Sequence, residues 1–177
     1  MRTTAYRVLG PAWGIAIDLT AESTPAMKPP PDSERITGRL WLDTTPVLNH
    51  PHADRSGLRL ALDEASWLRQ GLCSVAEAVE AALRSGHHTV VTVHRVLFSE
   101  ADFQPEGLAG AVIAWAQEEF GIPAPPVNVT FDHRSNRFIY RWHENQSGEN
   151  GTNVRTPRPS RDLEGRSLPD GRGTSYR

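Results

Sequence analysis

Residues 78–98 read AVEAALRSGHHTVVTVHRVLF, and the way this stretch divides decides the fold. In and just before its first half, Val75, Ala78, Val79, Ala82 and Leu83 fall on one helical stripe. Its second half, Thr89 to Phe98, is rich in β-branched residues that suit a pleated surface. Gly86 lies between them and supplies the left-handed backbone that stops a helix. Upstream, Ser74 and Glu77 are spaced as a capping box, hydroxyl to amide and carboxylate back to amide, so a helix is predicted from that point. The adjacent His87 and His88 raise the question of a metal site. Neighbouring side chains on a strand point to opposite faces, so the two imidazoles diverge and read as solvated histidines at a strand mouth.

Working outward, Trp13, Ile15, Ile17 and Leu19 alternate as the buried face of a strand. The Pro-rich stretch 23–32 is expected to stay out of the sheet, because proline has no backbone donor. Alternation at Ile36, Gly38, Leu40 and Leu42 predicts a second strand. Residues 58–70 fit two templates: Leu58, Leu60 and Leu62 keep a period of two, whereas Leu58, Ala61, Leu62, Ala65 and Leu68 make a helical stripe. A later helix starts near Pro105, carries its apolar stripe through Leu108, Val112, Trp115 and Phe120, and ends at Gly121. Residues 127–131 and 137–142 then bracket a turn at 132–136, which predicts a hairpin.

Taking 58–62 as a strand, the order is β-β-β-α-β-α with a C-terminal hairpin. That order predicts an α/β (α+β) two-layer sandwich, helices on one face of a mainly antiparallel sheet. The folded domain is expected over residues 1–143. Residues 144–177 are rich in Gly, Pro, Ser, Asn and Arg, without periodic apolar positions, and are expected to form a disordered tail.

Composition narrows the classes of function. Of 177 residues, 38% are hydrophobic and 23% charged, and no apolar run is long enough to cross a bilayer. The first residues, MRTTAYRVLG, lack the apolar core of a secretory signal, so a cytoplasmic protein is expected and the sequons at Asn128, Asn145 and Asn150 carry no weight. Cys73 is the only cysteine, which excludes an intrachain disulfide and a CxxC motif. Eighteen arginines against the single Lys28 point to coding from a GC-rich genome rather than to a recognition surface. Residues 1–143 hold 13 basic and 16 acidic side chains, a balance without the electrostatic footprint of a duplex-binding protein.

The order of elements and two strings carry a family resemblance. GPAWGIAIDL, residues 10–19, places Trp13 and Gly14 ahead of an alternating strand. AVEAALRSG, VVTVHRVLF and FQPEGLAGAVIAWAQEEF follow as helix, strand and Ala-rich helix. Residues 8–122 resemble domain IV of elongation factor G, within the ribosomal protein S5 domain 2-like superfamily. The resemblance implies three strands followed by α-β-α, and a ribosomal or RNA partner. Pro11 and Ala12 stand where that family usually holds Arg and Gln, and no GxxxxGK[ST] phosphate loop occurs, so no nucleotide is expected. The string HHTV is also similar to a metal-binding segment of imidazoleglycerol-phosphate dehydratase, HHxxE, with Val91 in the place of the acid.

Candidate chemistry is sparse. His50 and His52 share a face if their loop is extended, and Asp54 could add a carboxylate; solvated loop residues are the plainer reading. Cys73 precedes the expected helix start, where a dipole could activate a thiol, though packing cysteines are commoner. A His94 facing inward would be a hydrogen-bonded core residue. The pairs Asp63-Glu64, Glu77-Glu80 and Glu118-Glu119 read as solvated faces. In the hairpin, His133, Arg134 and Arg137, with Arg141 and Trp142 beyond, combine guanidinium groups with aromatics. Alternation sets Arg137, Ile139 and Arg141 on one face and Phe138, Tyr140 and Trp142 on the other, as in any amphipathic edge strand.

The leading expectation is therefore a non-enzymatic domain without cofactor that docks on a ribosomal, RNA or protein partner. Its expected contacts are Trp13, Gly14, Arg134, Arg137 and Arg141. The alternatives are a small metal-dependent enzyme using His50, His52, Asp54 and His87, and a protein–protein module.

Overall fold

A computed structural model describes residues 1–11, 13–51, 59–83, 86–125 and 127–142, with the side chain of residue 142 outside that description. The expected tail at 144–177 lies outside the described residues, as do His52 and Asp54.

The elements run β1 (Arg2–Leu9), β2 (Gly14–Ala26), β3 (Glu34–Arg35), β4 (Leu40–Asp43), α1 (Thr45–Leu48), α2 (Leu62–Ser74) and α3 (Ala76–Ala82). After them come β5 (His88–Phe98), a 3-10 turn at Glu100–Asp102, α4 (Gly107–Phe120), β6 (Val127–Asp132) and β7 (Arg137–Trp142). The main sheet has five strands in the order β1-β2-β5-β4-β3, and β6-β7 form a separate two-stranded sheet. Among the described residues of this sheet, β4 and β5 pair in parallel and the other neighbours antiparallel. A parallel pair needs a crossover, and α2 and α3 supply it. The result is an α+β sandwich with helices packed on the sheet.

The core lies between the layers. Ile15, Ile17, Leu19 and Ala21 of β2 and Val91, Val93 and Val96 of β5 are buried with Leu68, Leu72, Leu108 and Trp115 from the helices. Val93 and Val96 both reach the core because the register slips at Thr20/Ala21, a bulge that absorbs one residue of β5. The helices cross closely at Gly71, where a Cβ would lie 2.5 Å from the Ala109 carbonyl oxygen. A side chain at Gly110 would likewise run into the Tyr6 ring. Among the described residues no helix is long and apolar enough to cross a membrane.

Several local expectations are corrected. β1 was not expected, because its core-facing residues are Thr4, Tyr6 and Val8; Thr4 is buried by donating its hydroxyl to Glu118 Oε2 at 2.7 Å, so its polarity hid the alternation. Ser23, Thr24, Pro25 and Ala26 do join the sheet, opposite Val91, Val90, Thr89 and His88. β1 reaches only as far as Ala21, so the second edge of β2 is open there and proline's missing donor costs no ladder bond. The second strand is short: Ile36 and Thr37 instead turn back, their amides donating to the Leu40 carbonyl.

Residues 62–74 take the helical reading, leaving Leu60 buried ahead of the helix with its amide on the Val47 carbonyl at 3.0 Å. The capping box at Ser74 does not form. Ser74 closes α2 and donates back to the Gly71 carbonyl at 2.7 Å, a local bond that competes with capping. The capping contact lies earlier, where the Ala61 amide donates to Glu64 Oε2 at 2.8 Å. Gly86 (φ 100°) and Gly121 (φ 65°) adopt positive φ, and the latter ends α4 as its position predicts.

Candidate functional site

The histidine pair separates. His87 is exposed and faces the helix side, lining a cleft with Leu83 and Phe120. The His88 ring stands edge-on to Trp41, with centroids 6.3 Å apart. His50 is partly buried in its loop. Among the described residues no group of three His, Cys, Asp or Glu side chains could hold a metal ion. His94 does not face the core: it is about a third exposed and lies 2.9 Å from Glu22 Oε1. Cys73 is exposed in the last turn of α2, and desolvation by its neighbours pushes its thiol above the ordinary value, with Arg69 opposing the shift.

The carboxylates do more than solvate. Glu80 clamps the 36–39 turn to α3: its Oε1 accepts from the Thr37 hydroxyl and, at 3.0 Å, from the Arg39 amide. The Arg39 guanidinium returns a bond to the Glu80 carbonyl at 2.8 Å. Those donors hold the Glu80 carboxyl below its usual value. Glu119 is held low in the same way by the Ser23 hydroxyl at 2.7 Å and by Arg2.

The remaining expected contacts gather at one corner, built by the turn after β1 and by the hairpin. The Gly10 amide donates to the Trp13 carbonyl at 3.0 Å, closing the turn. Gly14 follows where a Cβ would lie 2.7 Å from the Val8 carbonyl oxygen. The Trp13 ring is half-buried, edge-on to Phe138 at 5.2 Å and to Phe131 at 6.3 Å, and those two phenyl rings meet at 5.1 Å. Two aromatic edges thus dock the hairpin's inner face on the turn, and the third pairs its strands. Tyr140 of the same face joins Tyr6 through their hydroxyls at 3.2 Å, and burial raises both phenol pKa values.

A further fastening is Gln104, a residue that sequence spacing does not single out. It is buried, and its carboxamide donates to the Phe138 carbonyl at 2.7 Å and accepts from the Phe138 amide at 2.9 Å. Nearby, Arg137 donates to Glu106 Oε1 at 2.7 Å. Both links join segments more than thirty residues apart in the chain.

The outer face of the hairpin is polar. Pairing sets Asn128 opposite Arg141, Thr130 opposite Ile139 and Asp132 opposite Arg137. In the turn, Asp132 accepts from the Ser135 hydroxyl at 2.6 Å and from the Arg134 amide at 3.0 Å, which holds its carboxyl below the usual value. Asp132 is thereby occupied locally. Among the described residues neither Arg134 nor Arg141 has an ion-pair partner, and both are exposed. Trp13 reaches the inner face and braces the corner, while Arg134 in the turn and Arg141 on the outer face stay exposed.

Compared with family models, with curated proteins and with solved structures, the chain matches none.

Proposed function

We propose that this protein is a small docking domain that contacts a phosphate-bearing macromolecule, RNA of ribosomal type, through the corner formed by residues 10–14 and the hairpin. The resemblance of residues 8–122 to domain IV of elongation factor G belongs to the same proposal. The observation that carries it is the state of the hairpin's arginines. Arg134 in the hairpin turn and Arg141 on β7 stand exposed, with no ion pair to a described residue. Arg137 between them is oriented by Glu106. Guanidinium groups are suited to phosphate oxygens because they present several donors in a planar fork. Trp13 contributes by holding the turn against the hairpin, and Gly14 by letting the start of β2 lie close against Val8.

Such contact positions a partner and carries no sequence information by itself. The test is co-sedimentation of the full chain with ribosomes across a salt series. Phosphate-dominated binding weakens steeply as salt rises. Absence of a ribosome-associated fraction at low salt abandons this reading in favour of a protein partner.

A further inference from the structure

Away from that corner, the two layers part at the opposite end of β2. There α3 and α4 run out and β5 begins, leaving a half-open cleft of about 730 Å³. Pro25, Leu83 and Phe120 give it apolar walls, and the exposed Met27 and Ala82 stand at its mouth. Leu83 and Phe120 also pack against the core, so the cleft is continuous with the apolar interior. Its volume falls in the range of small-molecule sites, which combine apolar walls with a few polar groups.

The polar groups of the lining define what fits. Ser23 is committed, since its hydroxyl donates to Glu119 at 2.7 Å, and Glu119 is balanced by Arg2 at 3.1 Å. Among the described residues, His87 and Thr89 have no side-chain hydrogen-bond partner. Both can donate. Among the described residues no carboxylate lines the cleft, and the His87 imidazole brings a ring N–H to it. Lys28 follows Met27 in the chain and is exposed. An acceptor-only anionic group therefore meets donors, and no like charge among the described lining residues.

We propose that this cleft binds a small amphiphile, an apolar chain ending in a carboxylate. The chain lies against Pro25, Leu83 and Phe120, and the carboxylate accepts from His87 and Thr89. This site uses none of the docking corner's residues and stands or falls separately from it.

Sodium decanoate, below its micellar concentration, is the probe, titrated into the isotope-labelled full chain and followed by amide NMR. Saturable shifts are expected at Ser23, Leu83, Thr89 and Phe120. The double substitution His87→Ala with Thr89→Val should weaken binding about tenfold, the loss of roughly one charged hydrogen bond. Ala82→Trp, which sets an indole in the mouth from an exposed position, should abolish it while leaving amide shifts elsewhere unchanged. Three results would overturn the proposal: no saturable shift at those residues, equal affinity for decyltrimethylammonium, or an unchanged Kd in the double variant.

Discussion

Gln104 treats Phe138 as a strand neighbour would: its side-chain amide donates to the Phe138 carbonyl at 2.7 Å and accepts from the Phe138 amide at 2.9 Å. One carboxamide thus satisfies both backbone groups of a residue that is only 4% exposed. Removing it leaves a buried donor and acceptor without partners, each costing about 1–3 kcal/mol. Gln104→Ala should lower stability by about 2–4 kcal/mol in urea denaturation. It should also speed amide exchange across the hairpin more than in β2 or β5. A loss too small to measure would mean that the aromatic contacts alone fasten the hairpin.

That fastening also marks the limit of what the sequence discloses. The hairpin at 127–142 and the helix ending at Gly121 are local patterns readable from periodicity and turn residues; so is the switch from helix to strand, although α3 ends at Ala82, ahead of the stop expected at Gly86. β1 was hidden because Thr4 and Tyr6 occupy core-facing positions through specific partners, Glu118 and Tyr140. α2 was ambiguous because Leu60 and Leu62 mimic a period of two although Leu60 is buried outside the helix and Leu62 is 79% exposed. Gln104 and Glu106 meet the hairpin only in three dimensions, so no spacing could announce them. Arginines at 134, 137 and 141 were visible from alternation; which of them is tied to Glu106 was not.

The α2–α4 crossing gives a second test. At Gly71 a Cβ would meet the Ala109 carbonyl at 2.5 Å and Val112 Cγ1 at 2.6 Å. Backbone cannot give way as a flexible side chain can. Gly71→Ala should destabilise the fold by about 1–3 kcal/mol despite alanine's better helix propensity, as measured by thermal or urea unfolding. A stabilised variant would show that the helices do not approach this closely.

Acid should loosen the molecule through its clamps. Glu80 and Glu119 have folded pKa values below their unfolded ones, so their contribution is complete above the unfolded value. It is lost as pH falls through the folded value. The urea midpoint should therefore drop on acidification below about pH 4.5, the ordinary value of a glutamate, and Glu80→Gln with Glu119→Gln should flatten that drop. The buried phenols act in the opposite direction. Tyr6 and Tyr140 have raised pKa values, so their contribution is present below the unfolded value of 10.0 and is lost as pH rises through the folded one. Replacing both with Phe should flatten the alkaline limb.

Cys73 should be a poor nucleophile although it is exposed. Its raised pKa lowers the thiolate fraction at neutral pH. Alkylation near pH 7.5 should run slower than for an unstructured cysteine peptide and catch up as pH rises. A faster reaction would indicate activation that the surroundings of Arg69 and Glu34 do not supply.

The docking proposal rests on two exposed guanidinium groups, and their share of the binding can be counted. The decisive measurement is the slope of log affinity against log salt for ribosome binding by the wild-type chain and by Arg134→Ala with Arg141→Ala. If both arginines neutralise phosphates, the double variant binds more weakly and its slope is shallower by about 2, roughly one per contact. An unchanged slope and affinity in the double variant would contradict the account.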